Sequence, residues 1–515
     1  MRRRNFIRAT GLFPFVGQSV LEASAASQQL RPISPLNTTG AGGRDFFYKP
    51  ENAWAADFIP LYANGAFQLF YLLDWRNIPE HGEGTPWYRI TTNDFVHFQE
   101  QGEMLKRGSK TEQDLYVFTG SAIHAKNQYH IFYTGHNPYL RQQGKPEQGV
   151  MHAVSNDMKT WTKIPEHTFF APADRYEKDD WRDPFVFWND QDQEFNMLLA
   201  ARHKKGIPRR RGLTALCISK DLIKWEVREP FYAPDLYFTH ECPDLFKMGD
   251  WWYLIFSEFT DRVRTRYRMS RSLQGPWMTP VRDDFDGHAF YAAKSASDGK
   301  TRFLFGWNPT RDGSKDNGNW QWGGNLVVHE LHPESNGELA VRIPPSVAQA
   351  FTKKLDHAFL SGAGNYKQEN GILSLHAGGT FCAAVGGTLP GLCRIKTTVQ
   401  FESGAKEFGL MFHTSEDLEK SYYLRIEPPN NRIVFDRWPR EHAEVNQMVE
   451  LERPLHLASG APVTIQVIIE EKIGVIYVND IIAMNFRAYD LPAGSWGFFA
   501  SDGNVTFSET EIATR

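Results

Sequence analysis

A strand–turn–strand signature recurs along the first two-thirds of the chain and leaves few architectures open. Residues 90–98 read Ile-Thr-Thr-Asn-Asp-Phe-Val-His-Phe. Residues 153–161 and 217–225 repeat the plan as Ala-Val-Ser-Asn-Asp-Met-Lys-Thr-Trp and Cys-Ile-Ser-Lys-Asp-Leu-Ile-Lys-Trp, and 269–277 is a weaker copy. The Ser or Thr and the Asp can accept amides of a tight turn while the closing aromatic packs beneath it. A second, out-of-phase series consists of apolar, aromatic-rich runs at 67–71, 129–133, 195–199, 252–256 and 302–306, each behind a turn signal such as Asn64-Gly65 or Gly249-Asp250. These runs read as buried strands spaced 50 to 66 residues apart, with roughly four strands per unit. That is the spacing of propeller blades, and five runs predict five blades.

The expected organisation is all-β: a five-bladed β-propeller over 46–345, a linker over 346–360 and a β-sandwich over 361–515. The sandwich is read from alternating strands such as 408–413, 463–468 and 474–478, separated by polar turns. The start of the chain is of another kind. Arg2-Arg3-Arg4-Asn5-Phe6-Ile7-Arg8, a modest apolar stretch and Ala23-Ser24-Ala25-Ala26 mark 1–26 as an export signal of twin-arginine type, with a linker over 27–45. The protein is therefore expected to be exported, to the periplasm or the extracellular space. The apolar stretch is too short for a membrane span and no other segment approaches that length, so none is expected in the mature protein. A net charge of −4 gives no basic excess for nucleic acid. Cys217, Cys242, Cys382 and Cys393 form no CxxC pair, so no zinc site is expected, although Cys382 and Cys393 could bridge within one hairpin.

In a propeller the first strand of each blade lines the central channel. The segments just upstream of the five apolar runs are Ala55-Ala56-Asp57-Phe58, Phe118-Thr119-Gly120-Ser121, Trp181-Arg182-Asp183-Pro184, His240-Glu241-Cys242-Pro243 and Phe290-Tyr291-Ala292. Three of them hold a carboxylate at nearly the same point, so Asp57, Asp183 and Glu241 are expected to converge. Clustered carboxylates repel, so at least one should hold its proton more tightly. Glycoside hydrolysis needs that combination of an ionised carboxylate and a protonated acid. Arg182 beside them could hold substrate hydroxyls. Aromatics make up 14% of the chain, with 15 Trp. Trp54, Trp75, Trp181, Trp320 and Trp322 are candidates to stack on sugar rings, with core or rim packing as the plainer role.

Arg182-Asp183-Pro184 and Glu241-Cys242-Pro243-Asp244-Leu245-Phe246, with Val117-Phe118-Thr119-Gly120-Ser121-Ala122, Gly287-His288-Ala289-Phe290-Tyr291-Ala292 and Trp322-Gly323-Gly324-Asn325, resemble motifs of glycoside hydrolase family 32, the fructofuranosidases. The resemblance covers nearly the whole mature chain. It implies Asp57 as nucleophile, Glu241 as general acid/base and Asp183 as transition-state stabiliser. It also implies that Phe118, Ser121, Cys242 and Tyr291 line the substrate site, with no metal or organic cofactor. The expected reaction is hydrolysis of fructofuranosyl linkages in sucrose-type oligosaccharides or fructans, with retained configuration. A retaining pair stands about 5–5.5 Å apart, an inverting pair roughly 6.5–9.5 Å. Two stretches depart: the residues before Asp57 are Trp54-Ala55-Ala56 where the resemblance leads to an Asn, and Tyr71-Leu72-Leu73-Asp74-Trp75 replaces an expected amide-bearing stretch. A furanosidase for another sugar, such as an arabinofuranosidase, a fructosyl-transferring relative, and a non-catalytic carbohydrate-binding protein are open alternatives.

Overall fold

The computed structural model describes residues 46–76, 78–440 and 451–515. The expected export signal and the linker over 27–45 lie outside the described residues. As expected, the chain is all-β, with only short helical turns among the described residues. No helix among them is long and apolar enough to cross a membrane.

Each apolar run forms the second strand of an antiparallel ladder. The first strands are Trp54–Ala63, Tyr116–Ala125, Tyr176–Asn189, Glu241–Met248 and Tyr291–Ser297, paired with Ala66–Asp74, Gln128–His136, Glu194–His203, Trp251–Glu258 and Arg302–Arg311. The turn signature follows the third strand of the earlier ladders. Ser155 Oγ accepts the Met158 amide at 2.9 Å and Asp157 Oδ1 the amides of Lys159 and Thr160 at 2.8 Å. Ser219 and Asp221 make the same bonds to Leu222, Ile223 and Lys224. The closing aromatic reaches the preceding ladder: Trp161 meets Phe70 edge-on at 5.9 Å, and Trp225 meets Phe132 at 5.5 Å. The repeat thus encodes both a local turn and the packing of neighbouring sheets.

The last ladder joins the first. Strand Trp320–Pro333 pairs with Arg302–Arg311 and meets Trp54–Ala63 at Ala55↔Gly324. Residues 47 and 48 reinforce the seam, since Leu326 N donates to Tyr48 O at 2.8 Å and Asn325 Nδ2 to Phe47 O at 2.8 Å.

Beyond the short helix Pro345–Gln349, a 13-stranded ladder occupies the C-terminal part. Its final strand, Ser495–Thr514, pairs in turn with Lys353–Leu355, Ile372–Thr388, Leu392–Phe401 and Glu407–Thr414. Alternating burial along Leu392–Phe401 is the signature of a sheet with one face on a core. Ile468, Val475 and Tyr477 of this part pack into the same core as Phe305, Leu326 and Val341. All four cysteines are buried and unbridged, Cys382 and Cys393 included.

Candidate active site

The five first strands share a local defect. Each has one extra residue against its partner, between Ala56 and Ile59, Phe118 and Gly120, Arg182 and Phe185, Glu241 and Asp244, and Tyr291 and Lys294. Such bulges bend a strand and re-aim its side chains, and they are common beside active sites. At four of them a non-glycine residue takes the left-handed conformation: Asp57 at φ 46°, Asp183 at 59°, Cys242 at 51° and Ala292 at 52°. This backbone is costly for residues with a Cβ and persists where surrounding structure enforces it. The bulge aligns Asp57, Thr119, Asp183, Cys242 and Ala292. Glu241 and Tyr291 stand one residue earlier, beside Arg182 in the alignment.

All three acids are buried, and a chain of contacts links them. Asp57 Oδ1 accepts the Trp307 indole N–H at 2.9 Å and Oδ2 accepts the Thr119 hydroxyl at 2.5 Å. The Trp307 ring meets Tyr291 edge-on at 6.1 Å, and the Tyr291 hydroxyl donates to Glu241 Oε2 at 2.6 Å. Arg182 donates to Glu241 Oε1 at 3.0 Å, and its Nε lies 3.9 Å from Asp183 Oδ2. Asp183 Oδ2 also accepts the Cys242 amide at 3.0 Å, with the thiol at 3.8 Å.

The charges are arranged as closely as the bonds. Burial alone would lower the Arg182 guanidinium, but the carboxylates of Asp180 and Asp183 outweigh it and hold the group above its ordinary value. A permanent cation between Glu241 and Asp183 offsets part of the repulsion anticipated for the acids. His240, next to Glu241, is pushed down to about 3 by burial and then by Arg268, so it adds no positive charge there at neutral pH.

Other candidates fall into two groups. Trp322 borders the site, meeting Trp307 edge-on at 6.3 Å, whereas the Trp54 ring lies beneath the Arg76 guanidinium at 4.7 Å. Trp75 stacks on His81 at 4.6 Å and Phe118 on His136 at 4.7 Å, with the Trp75 and Phe118 side chains only partly buried. Ser121 is turned away into a seam between sheets, where its Oγ accepts the Val186 amide at 3.0 Å. Trp181 is fully buried against Tyr176, and Trp320 lies beneath Arg311 at 3.7 Å. These two indoles are packing residues.

Thr239, Asp180 and Trp307 escape a reading by motif, and Thr119, though inside the segment 117–122, is not singled out by it. Thr239 and Asp180 both contact the Arg182 guanidinium. The bulge alignment singles out Thr119, since it stands where Asp57 and Asp183 stand. Trp307 directly follows an apolar run and looks like core until its ladder is paired.

Among known proteins, the family described as Glycosyl hydrolases family 32 N-terminal domain matches residues 47–340. A sucrose-6-phosphate hydrolase of Vibrio alginolyticus is 30% identical over 202 residues, 38% of this chain and 38% of that protein. The Escherichia coli sucrose-6-phosphate hydrolase is 27% identical over 338 residues, 61% of this chain and 67% of the other. The aligned part of the Vibrio protein is thus under two-fifths of its length. Two solved structures share the fold: sucrose-6-phosphate hydrolase from Lactobacillus gasseri (TM-score 0.68, 17% identity, 91% of this chain and 92% of that one) and fructan 1-exohydrolase IIa from Cichorium intybus (0.70, 16%, 93% and 98%).

Proposed function

The chain belongs to glycoside hydrolase family 32, and from that membership we propose that it is an exported enzyme hydrolysing fructofuranosyl linkages in sucrose-type oligosaccharides or fructans with retention of configuration. The five bulged ladders are read as five propeller blades around the site, over 46–345, and the C-terminal ladder over 361–515 as a two-layer sandwich. The observation that carries the reading is the contact chain from Asp57 through Trp307 and Tyr291 to Glu241, with Asp183 joined through Arg182.

In this reading Glu241 gives its proton to the leaving oxygen while Asp57 attacks the anomeric carbon. The C–O bond breaks and a glycosyl ester forms. Water then loses a proton to Glu241, attacks the same carbon and frees Asp57. Asp57 suits a nucleophile because the Trp307 indole and the Thr119 hydroxyl hold its two oxygens in a fixed orientation. Asp183, held by the Cys242 amide, faces the positive charge that develops on the sugar.

The test is a screen of the full chain against sucrose, inulin, levan and arabinosides, with Asp57→Asn and Glu241→Gln beside it. Fructose release abolished in both folded variants is the expected result. Near-full activity in either removes that residue from its role. Release of arabinose instead of fructose would favour an arabinofuranosidase, an outcome suggested by the small, buried Ala55 and Ala56 beside Asp57.

A further inference from the structure

One arginine of the C-terminal ladder reaches into the strands behind Asp57. Arg487 ends the strand Ile482–Arg487 and is buried. Its Nε donates to Asn308 Oδ1 at 2.9 Å and to Pro309 O at 2.6 Å. A terminal nitrogen donates to Asn308 O and to Asn325 Oδ1, both at 2.7 Å. Asn308 and Asn325 face each other across the ladder, and the next pairs are Trp307↔Leu326 and Pro309↔Gly324. The approach is tight: a Cβ on Gly324 would stand 1.7 Å from Asn308 O and 3.1 Å from the Arg487 guanidinium.

Two routes lead from this guanidinium to the same carboxylate. Asn308 adjoins Trp307, whose indole donates to Asp57 Oδ1. Gly324, beside Asn325, pairs with Ala55, two residues before Asp57 on its own strand. The planar fork of an arginine suits several fixed acceptors at once, and one ammonium cannot replace it in full. Burying this cation among carbonyls is costly without complete pairing, so its place is defined narrowly, and so are the strands it grips.

We infer that Arg487 is a positioning residue of the reaction, holding Trp307 and thereby aiming the Asp57 carboxylate. The C-terminal part then completes the active site instead of only packing beside it. This inference rests on Asp57 being the nucleophile.

The experiment is a double-mutant cycle in the full chain, with Arg487→Met, Trp307→Phe and both together, assayed on an alkyl fructofuranoside whose poor leaving group makes attack by Asp57 the slow step observed. Each single variant is expected to lose about ten- to a hundred-fold in kcat, the range for one hydrogen bond to a charged group, with KM within about two-fold. The double variant is expected to be no worse than Trp307→Phe, because both act on one path. Arg487→Lys should recover part of the loss. Additive losses, or an Arg487→Met enzyme with lowered melting temperature and unchanged kcat, would overturn the inference. Should Arg487→Met not fold, Asn325→Leu removes one anchor of the same guanidinium and is read in the same cycle. Asp57→Asn, run alongside, separates the two claims: an active Asp57→Asn enzyme overturns both, whereas an inactive one with additive losses overturns only the role of Arg487.

Discussion

At the scale of residues, the site is built from acids whose oxygens are already engaged. Glu241 takes Tyr291 on one oxygen and Arg182 on the other, so its orientation is set before a sugar arrives. Tyr291→Phe removes one hydroxyl and little volume. A hydrogen bond to a charged group contributes about 1.5–3 kcal/mol, so kcat is expected to fall about ten- to a hundred-fold with the melting temperature nearly unchanged. Steady-state kinetics with thermal unfolding checks this, and a large loss of stability with unchanged kcat would make Tyr291 a packing residue. The acids were legible in the sequence because they recur at nearly the same point of a repeat, Glu241 one residue ahead of the position of Asp57 and Asp183. Trp307 was not, because an indole after an apolar run looks like core until the ladder shows what its N–H faces. For Ser121 the opposite holds, since a motif names neighbours along the chain whereas its hydroxyl turns into the seam between sheets; Trp181 takes the core packing that was its plainer role.

At the scale of elements, the bulge is the recurring device. It adds one residue to each first strand and sets the side chains of Asp57 and Asp183 at equivalent points. Ala292 holds the left-handed position of the last bulge, next to Tyr291. A β-branched side chain there is strained, so Ala292→Val is expected to cost about 1–2 kcal/mol and to lower kcat by displacing the Tyr291 hydroxyl from Glu241. Denaturant unfolding and kcat should therefore fall together, and loss of stability alone would separate the bulge from the chemistry. The strands and turns were readable, since apolar runs and Ser-x-Asp turns are local signals. The bulges were not: an extra residue is visible only against a partner strand. The seam between Ala55 and Gly324 was hidden for the same reason, as its residues lie far apart in the chain.

At the scale of the whole molecule, the two parts share a core and a buried polar network. Asp286 accepts from Asn485 N at 2.8 Å and faces His329 Nε2 at 3.0 Å, while His329 Nδ1 meets the Tyr477 hydroxyl at 2.8 Å. The Asp286 carboxyl is held below its usual range: burial opposes ionisation, but the hydrogen bond to His329, with the Asn485 amide and the nearby Arg453, outweighs it. Such a network fixes one arrangement of the parts, because breaking it would strand buried polar groups. The central claim is that separate sheets bring Asp57 and Glu241 to a single sugar. The most direct measurement uses Glu241→Gln with a fructofuranoside bearing an activated leaving group, which departs without an acid but leaves a glycosyl ester that water attacks slowly. Rapid acid quench and peptide mass spectrometry are predicted to find one hexosyl unit on the peptide carrying Asp57. An adduct on Asp183, or free product of inverted configuration with no adduct, would contradict the account.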